Sequence, residues 1–436
     1  MKYRKFIFEG YEFDPKSHRL ELNYSLDHEL GFKESYFFDF DFVNYDPKAL
    51  DRALRTLFLM AGVSYYKTFM PEEIELSNIL LDKADASFFA KTYSKGLGEF
   101  YYVNKLNPSI NIPFNPNTEP EIQMEAQSNG GMLIGIGGGK DSLLSVEALK
   151  KSDKPIATWS LGHRELLQEL VDKIGLKHFF VDRSWDKKLL ELNSKGALNG
   201  HVPISAIIGC AGTVTAILTG YRDIVVSNEQ AANEPTLNYQ GVDINHQYSK
   251  SQEYEQDYQD LLQRTYGNSI RYYSFLRPLS ELFIAELFSK TAWDKYRYKF
   301  SSCNRTFRYG NHLLSWCGEC PKCAFVYMVL TPFVSEVDLN TIFHKNLLLD
   351  NGLDETYRNL LGISGDKPLE CVGEIKESRA AMRMCQDKYP ELKDRFTFEL
   401  DKNYDYRILG RHNMPEEIFE ILDQLIKSYR SSRQIG

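Results

Sequence analysis

Two runs of residues carry chemistry in this chain. The first is "LIGIGGGKDSLLSVEALKK", residues 133–151, in which Gly137, Gly138 and Gly139 precede Lys140, Asp141 and Ser142. Glycines after a strand let the backbone approach a ligand closely. The helix that follows offers unpaired N–H groups and the positive end of its dipole. The expected ligand is an anion, phosphate above all. Two familiar glycine patterns do not fit. A GTPase-type P-loop needs Ser or Thr after its Lys, and Lys140 is followed by Asp141; the dinucleotide pattern G-x-G-x-x-G lacks its third glycine.

The second run is "SSCNRTFRYGNHLLSWCGECPKCAF", which supplies Cys303, Cys317, Cys320 and Cys323. Four thiolates at this spacing can close a tetrahedral site, with structural zinc favoured and an iron–sulfur cluster as the alternative. No coordination position stays open, and Trp316 and Phe325 are expected to pack over the site. The remaining Cys210, Cys371 and Cys385 read as ordinary helix or loop cysteines.

Between these runs lie polar clusters in apolar surroundings. They hold Asn199 and His201; Ser227, Asn228 and Glu229; Asn245, His246 and Lys250; and Arg277 with Glu281. Each also has a bland reading: Asn199 as a helix cap, Glu229 as a solvated carboxylate, His246 and Lys250 as surface residues, Arg277 as a helical partner of Glu281.

The elements that must position these residues follow from periodicity. Residues 3–43 alternate with period 2, as an antiparallel sheet does. From Pro47 the spacing turns helical. Residues 107–119 hold three prolines and read as a linker. After it come alternating strands and helices, "GMLIGI", "PIATWSL", "KHFFVD", "DIVVSN" and "SIRYYSF" being the strands. That order predicts a doubly wound parallel α/β sheet, whose ligands sit beyond the carboxyl ends of its strands. Three units are expected: an N-terminal α+β domain at 1–125, a nucleotide-binding α/β domain at 126–290, and a helical region with the four-cysteine metal site at 291–436.

The 436 residues exceed one ordinary core at ~150 residues per domain. Hydrophobic content of 43%, with 27 Tyr and 27 Phe, describes a folded globular chain. A net charge of −8 weighs against a nucleic-acid partner. No apolar run approaches the ~20 residues of a membrane span, and the N-terminus lacks a secretory pattern. The crowded cysteines suit a reducing compartment. The expected location is the cytoplasm, and the oligomeric state stays open.

The string Gly138-Gly139-Lys140-Asp141-Ser142 resembles the pyrophosphate loop of the PP-loop ATP pyrophosphatases (adenine nucleotide α-hydrolase-like fold), with Gly137 in place of the usual first Ser. The cysteine run is similar to the zinc site of 7-cyano-7-deazaguanine synthases. In order, "GLGEFYYVN", "IGGGKDS", "NGHVPISA", "SNEQAANEP", "NHQYSKS", "SFLRPLSEL", "WCGECPKCAFVY" and "KPLECVG" resemble the UDP-N-acetyl-α-D-muramoyl-L-alanyl-L-glutamate epimerase (MurL) family, over roughly residues 90–375.

That resemblance implies an ATP- and Mg²⁺-dependent isomerase of peptidoglycan synthesis. Its substrates would be a UDP-muramoyl dipeptide and ATP, and AMP and pyrophosphate would leave. The residues themselves suggest the roles: Gly137, Gly138, Gly139 and Ser142 would cradle pyrophosphate, and Asp141 is the first candidate for Mg²⁺, because hard cations prefer carboxylate oxygen. Lys140 and Lys250 would neutralise phosphate, and Arg277 would clamp a carboxylate. His201, Glu229 and His246 compete for the role of general base. Two other readings remain: another PP-loop adenylating enzyme, such as a base-modifying synthase or a tRNA thiolase, and a non-catalytic ATP-binding protein.

Overall fold

The computed structural model describes residues 3–307 and 313–434, with side chains to 431. The alternating N-terminal stretch forms a meander of β1 (Lys5–Asp14), β2 (Arg19–Leu26) and β3 (Leu30–Phe38). Asp27 and His28 both have positive φ in the turn between β2 and β3, the mirror-image geometry that matches strand twist. A short strand absent from the sequence reading, β4 (Glu73–Leu76), runs parallel to β1 at the outer edge.

The strands after the linker are β5 (Met132–Gly135), β6 (Ile156–Leu161), β7 (His178–Ser184) and β8 (Asp223–Val226). A small hairpin, β9 (Leu237–Tyr239) and β10 (Val242–Ile244), precedes β11 (Arg271–Ser274). The main sheet has the order β11-β8-β5-β6-β7-β3-β2-β1-β4. Every pairing from β11 to β7 is parallel.

The N-terminal meander is not a separate sheet. β3 pairs antiparallel with β7, Ser35 opposite Ser184 and Phe38 opposite Val181, so nine strands form one surface. The reason is physical: without β3, β7 would expose a row of unpaired backbone groups. An ion pair fixes the seam. Arg183 on β7 donates to the buried carboxylate of Glu34 on β3 at 2.8 and 3.2 Å, and Tyr65 donates to the same group at 2.8 Å.

Alternation puts neighbouring residues of β5 into two different cores. Met132 and Ile134 pack with the helices Lys140–Leu149, Glu281–Thr291 and Pro321–Leu330 and with the C-terminal helices. Leu133 packs on the other side with Pro47–Ala61, Ile204–Thr219 and Gln252–Tyr266. The result is three layers, helices on both faces of a largely parallel sheet. Among the described residues beyond 291 every regular element is a helix, though loops hold about half of the chain there. Among the described residues no helix is long and apolar enough to cross a membrane.

The chain runs from β5 outward to β6 and β7, then returns to β8 and β11 on the other side of β5. The strand order therefore reverses between β5 and β8. The crevice beyond their carboxyl ends is where such sheets bind ligands. The glycine turn follows β5 there, and Ser227, Asn228 and Glu229 follow β8.

Candidate active site

The glycine turn joins β5 to the Lys140–Leu149 helix, with Gly139 as the N-cap residue. Gly138 has φ +87° and sits in a crowded place: a Cβ would lie 3.0 Å from the Ser301 carbonyl oxygen. At Gly139 a Cβ would stand 3.1 Å from that of Ser302. The Ser301 N–H donates to the Gly138 carbonyl at 2.9 Å. The cysteine-bearing segment thus lies directly on the turn. At Gly137 a Cβ would meet nothing within 4 Å, so its missing side chain leaves open space. Ser142 donates from Oγ to the Gly139 carbonyl at 3.2 Å. The first-turn N–H groups of this helix have no partner one turn back.

Beside the turn is a buried cluster of alternating charge. The Lys140 ammonium donates to Asp141 at 2.5 Å and also to Glu281. Lys322 stands 3.6 Å from the other oxygen of Glu281. Burial raises the Glu281 carboxyl, but Lys140 and Lys322 outweigh it and hold the group down at about 2. Asp141 moves the other way. Burial and Glu281 push it up against the pull of Lys140. Glu229 is pushed up to about 7, first by burial and then by Glu281, with Lys250 opposing.

A second group adjoins the first through Lys250, whose charge is felt by both Glu229 and Cys371. Lys250 Nζ donates to Cys371 Sγ at 3.0 Å. Nε2 of His246 lies 4.0 Å from the same sulfur, and its Nδ1 bonds Glu99. His201 Nδ1 is 3.6 Å from Glu99, and the two imidazole centroids are 4.7 Å apart. Burial lowers His246, but Cys371 and Glu99 more than reverse this and raise it to about 9. Burial and the charge on His246 push His201 down to about 4. At neutral pH one histidine is therefore charged and the other neutral. Glu99, His201 and His246 also bring ligand atoms within 4.8 Å of one another. The trio could hold a metal ion once His246 has given up its proton.

The structure brings Asp141, Glu229, His201, His246, Lys140 and Lys250 into one run of interacting groups. Arg277 is different. It is fully buried and its fork is engaged within the protein. It donates to Glu255 at 3.0 and 2.8 Å, to the Glu229 carbonyl at 2.8 Å and to the Lys250 carbonyl at 2.5 Å. It therefore fixes the backbone of two cluster residues, and its partner is Glu255, not Glu281. Asn199 caps no helix either, since the next one begins at Ile204. Its Oδ1 accepts from Lys67 at 3.0 Å.

Four residues of the cluster were not among the expected site residues: Glu99, Glu281, Lys322 and Cys371. Cys371 is half-buried, and its thiol would be raised by burial, but Lys250 and His246 hold it down at about 5. Lys322 donates from Nζ to the Cys371 carbonyl, and its N–H bonds Glu370 at 2.8 Å. The signal was faint: Cys371 sits after Glu370 in "PLECVG", and Lys322 lies between two metal-type cysteines. Cys210 is core, as its spacing indicated, with burial pushing its thiol up to about 12.

The sulfurs of Cys303 and Cys320 are 3.8 Å apart, those of Cys317 and Cys323 3.6 Å, and those of Cys320 and Cys323 3.5 Å. Four thiolates at ~2.3 Å from one tetrahedral ion have their sulfurs ~3.8 Å apart. The donor set therefore fits a single ion. An iron–sulfur cubane takes one thiolate per iron, which spreads the sulfurs further. Trp316 is buried against Phe300 and Phe343, with centroids 5.4 and 4.8 Å away.

Known proteins resemble this chain over most of its length. Residues 1–275 match the model of the MurL N-terminal domain, and residues 299–405 that of the MurL C-terminal domain. A UDP-N-acetyl-alpha-D-muramoyl-L-alanyl-L-glutamate epimerase of Xanthomonas oryzae pv. oryzae is 36% identical over 396 residues, 85% of this chain and 86% of that protein. Epimerases of the same name from a Micromonospora species and from Salinispora tropica are each 37% identical, over 78% and 77% of this chain and 76% and 73% of their own lengths.

Proposed function

The chain belongs to the MurL family of UDP-N-acetyl-α-D-muramoyl-L-alanyl-L-glutamate epimerases, and from that membership we propose that it inverts the terminal L-glutamate of the UDP-muramoyl dipeptide. The reaction would serve peptidoglycan synthesis in the cytoplasm. In this reading ATP is a co-substrate that adenylates the glutamate carboxylate, and AMP and pyrophosphate leave.

The chemistry asks for such activation. A proton on carbon next to a carboxylate is too weakly acidic to remove readily, because the product would carry two negative charges side by side. Converting the carboxylate to an acyl phosphate ester removes one of them. The α-proton then comes within reach of a side-chain base. Positive groups fixed beside the developing enolate lower the barrier further; Lys250 and Lys322 would serve in this way.

One observation carries the reading. A glycine turn suited to an anion, at the reversal of strand order, lies against a buried cluster of ionisable groups. Gly137, Gly138, Gly139 and Ser142 would receive pyrophosphate on backbone and hydroxyl donors. Asp141 would hold Mg²⁺, whose charge offsets that of phosphate when bound. Cys303, Cys317, Cys320 and Cys323 would hold structural zinc. Zinc there would brace the segment that lies on the glycine turn and would place Lys322.

The test is one incubation in D₂O with ATP, Mg²⁺ and UDP-muramoyl-L-alanyl-L-glutamate. AMP, deuterium at the glutamate α-carbon and D-glutamate after hydrolysis are the expected products. AMP without deuterium would leave an activating enzyme of another kind. D-Glutamate without AMP would remove adenylation from the mechanism.

A further inference from the structure

We propose that the Cys371 thiolate, seated between the Lys250 ammonium and the His246 imidazole, is the base that takes the α-proton; the assignment rests on the carboxylate-activation reading above.

The sulfur is held by a built site. Three segments distant in sequence meet on it. Lys250 donates to Sγ at 3.0 Å, and His246 faces it at 4.0 Å with Glu99 behind the imidazole. A carboxylate, an imidazole and a thiol in series, with a cation alongside, is the arrangement that activates cysteine. The backbone that carries the sulfur is fixed as well. Lys322 bonds the Cys371 carbonyl, Glu370 accepts from the Lys322 N–H at 2.8 Å, and the Val372 N–H bonds the Glu370 carbonyl at 2.8 Å.

The competing bases are already protonated, half protonated or weaker than the sulfur. His246, raised to about 9, already carries its proton at neutral pH. His201, lowered to about 4, is neutral but accepts a proton less readily than the sulfur, held at about 5. Glu229, raised to about 7, is half protonated at neutral pH and is the group able to give a proton back. The thiol, held at about 5, is ionised.

The step balances without a redox partner. The Cα–H bond breaks and an S–H bond forms, while the electron pair moves onto the activated carboxyl as an enolate. The enolate then takes a proton on its opposite face from a solvent-exchanging acid. The protonated carboxyl of Glu229, which shares Lys250 with the sulfur, is the group at hand. Proton exchange with solvent restores both residues.

The experiment compares full-length wild type with Cys371→Ala and Cys371→Ser in D₂O, with ATP, Mg²⁺ and the UDP-muramoyl dipeptide. The expected result is that AMP release persists in both variants while deuterium uptake and D-glutamate fall roughly 10²–10⁴-fold. A variant that takes up deuterium at the wild-type rate overturns the assignment. If wild type releases no AMP, the activation reading itself has failed, and the assignment falls with it. Alkylation of wild type by iodoacetamide gives an answer independent of how the variants fold. The rate at Cys371, followed by mass spectrometry, should already be at its plateau by pH 7, and Lys250→Met should move its inflection upward. Carboxamidomethylated enzyme that still epimerises would also overturn the proposal.

Discussion

Glu99 accepts a hydrogen bond from Nδ1 of His246, although 147 positions separate them in the chain. This contact, together with the nearby sulfur of Cys371, keeps the imidazole charged in a buried place that would otherwise favour the neutral form. Glu99→Gln should therefore bring His246 down from about 9 toward its ordinary 6.5. Titration of its ring protons by NMR reads this directly. The sign for stability follows. A histidine raised on folding contributes fully below 6.5 and loses that contribution as pH rises through about 9. The variant should flatten the stability curve in that window. An inflection that stayed near 9 would mean Cys371 alone holds the charge.

Arg277 offers a sharp test of structural against substrate-binding roles. Its fork holds the fully buried Glu255 and two carbonyls of the cluster. Arg277→Ala would strand the Glu255 charge, and breaking a buried pair costs ~3–5 kcal/mol. Urea unfolding should show that loss in the absence of any substrate. A variant with wild-type stability and a raised KM would restore the carboxylate-clamp role.

Those two residues show what one chain of letters conveys. The strand–glycine–helix junction was legible because backbone rules act locally: apolar runs, three glycines, then helical spacing. The metal-type cysteines were legible because ligand spacing is also largely local. The join of β3 to β7 was not, because pairing between strands so distant in the chain leaves no local trace. The meander alternates whether it forms its own sheet or extends another. Cys371 was misread for the same reason. The nearest lysine in sequence, Lys367, pairs with Glu234 at 2.8 Å instead; Lys250 and His246 arrive from more than a hundred positions away. Arg277, in the turn after β11, looked available because its true partner, Glu255, lies in the preceding helix Gln252–Tyr266.

Asp141 should separate activity from stability. Its carboxyl is pushed up by burial and by Glu281, so folding opposes its ionised form. A carboxylate raised on folding destabilises the protein wherever it is charged. Asp141→Asn removes that charge and leaves Lys140 its bond to Glu281. The variant should melt at the wild-type temperature or above it. AMP release should fall ~10²-fold or more, the scale of losing one charge-stabilising group at a reacting centre. Scanning calorimetry and an AMP assay decide it. Normal AMP release would remove Asp141 from phosphate chemistry.

Cys320 links the thiolate site to the cluster. Cys320 is the N-cap residue of the Pro321–Leu330 helix, and Lys322 in its first turn reaches both Glu281 and the Cys371 carbonyl. The same cysteine-rich segment supplies Ser301 and Ser302, which pack on Gly138 and Gly139. One lost thiolate should therefore act at two places. Cys320→Ser should bind less zinc by elemental analysis and melt several degrees lower, because metal affinity at a closed site is folding free energy. AMP release should fall with it, since the glycine turn loses its support. Asp141→Asn loses the same activity with no loss of stability, so the pair separates a defect of chemistry from a defect of scaffold. A Cys320→Ser protein with one zinc per chain and an unchanged melting temperature would show that the four sulfurs do not share an ion.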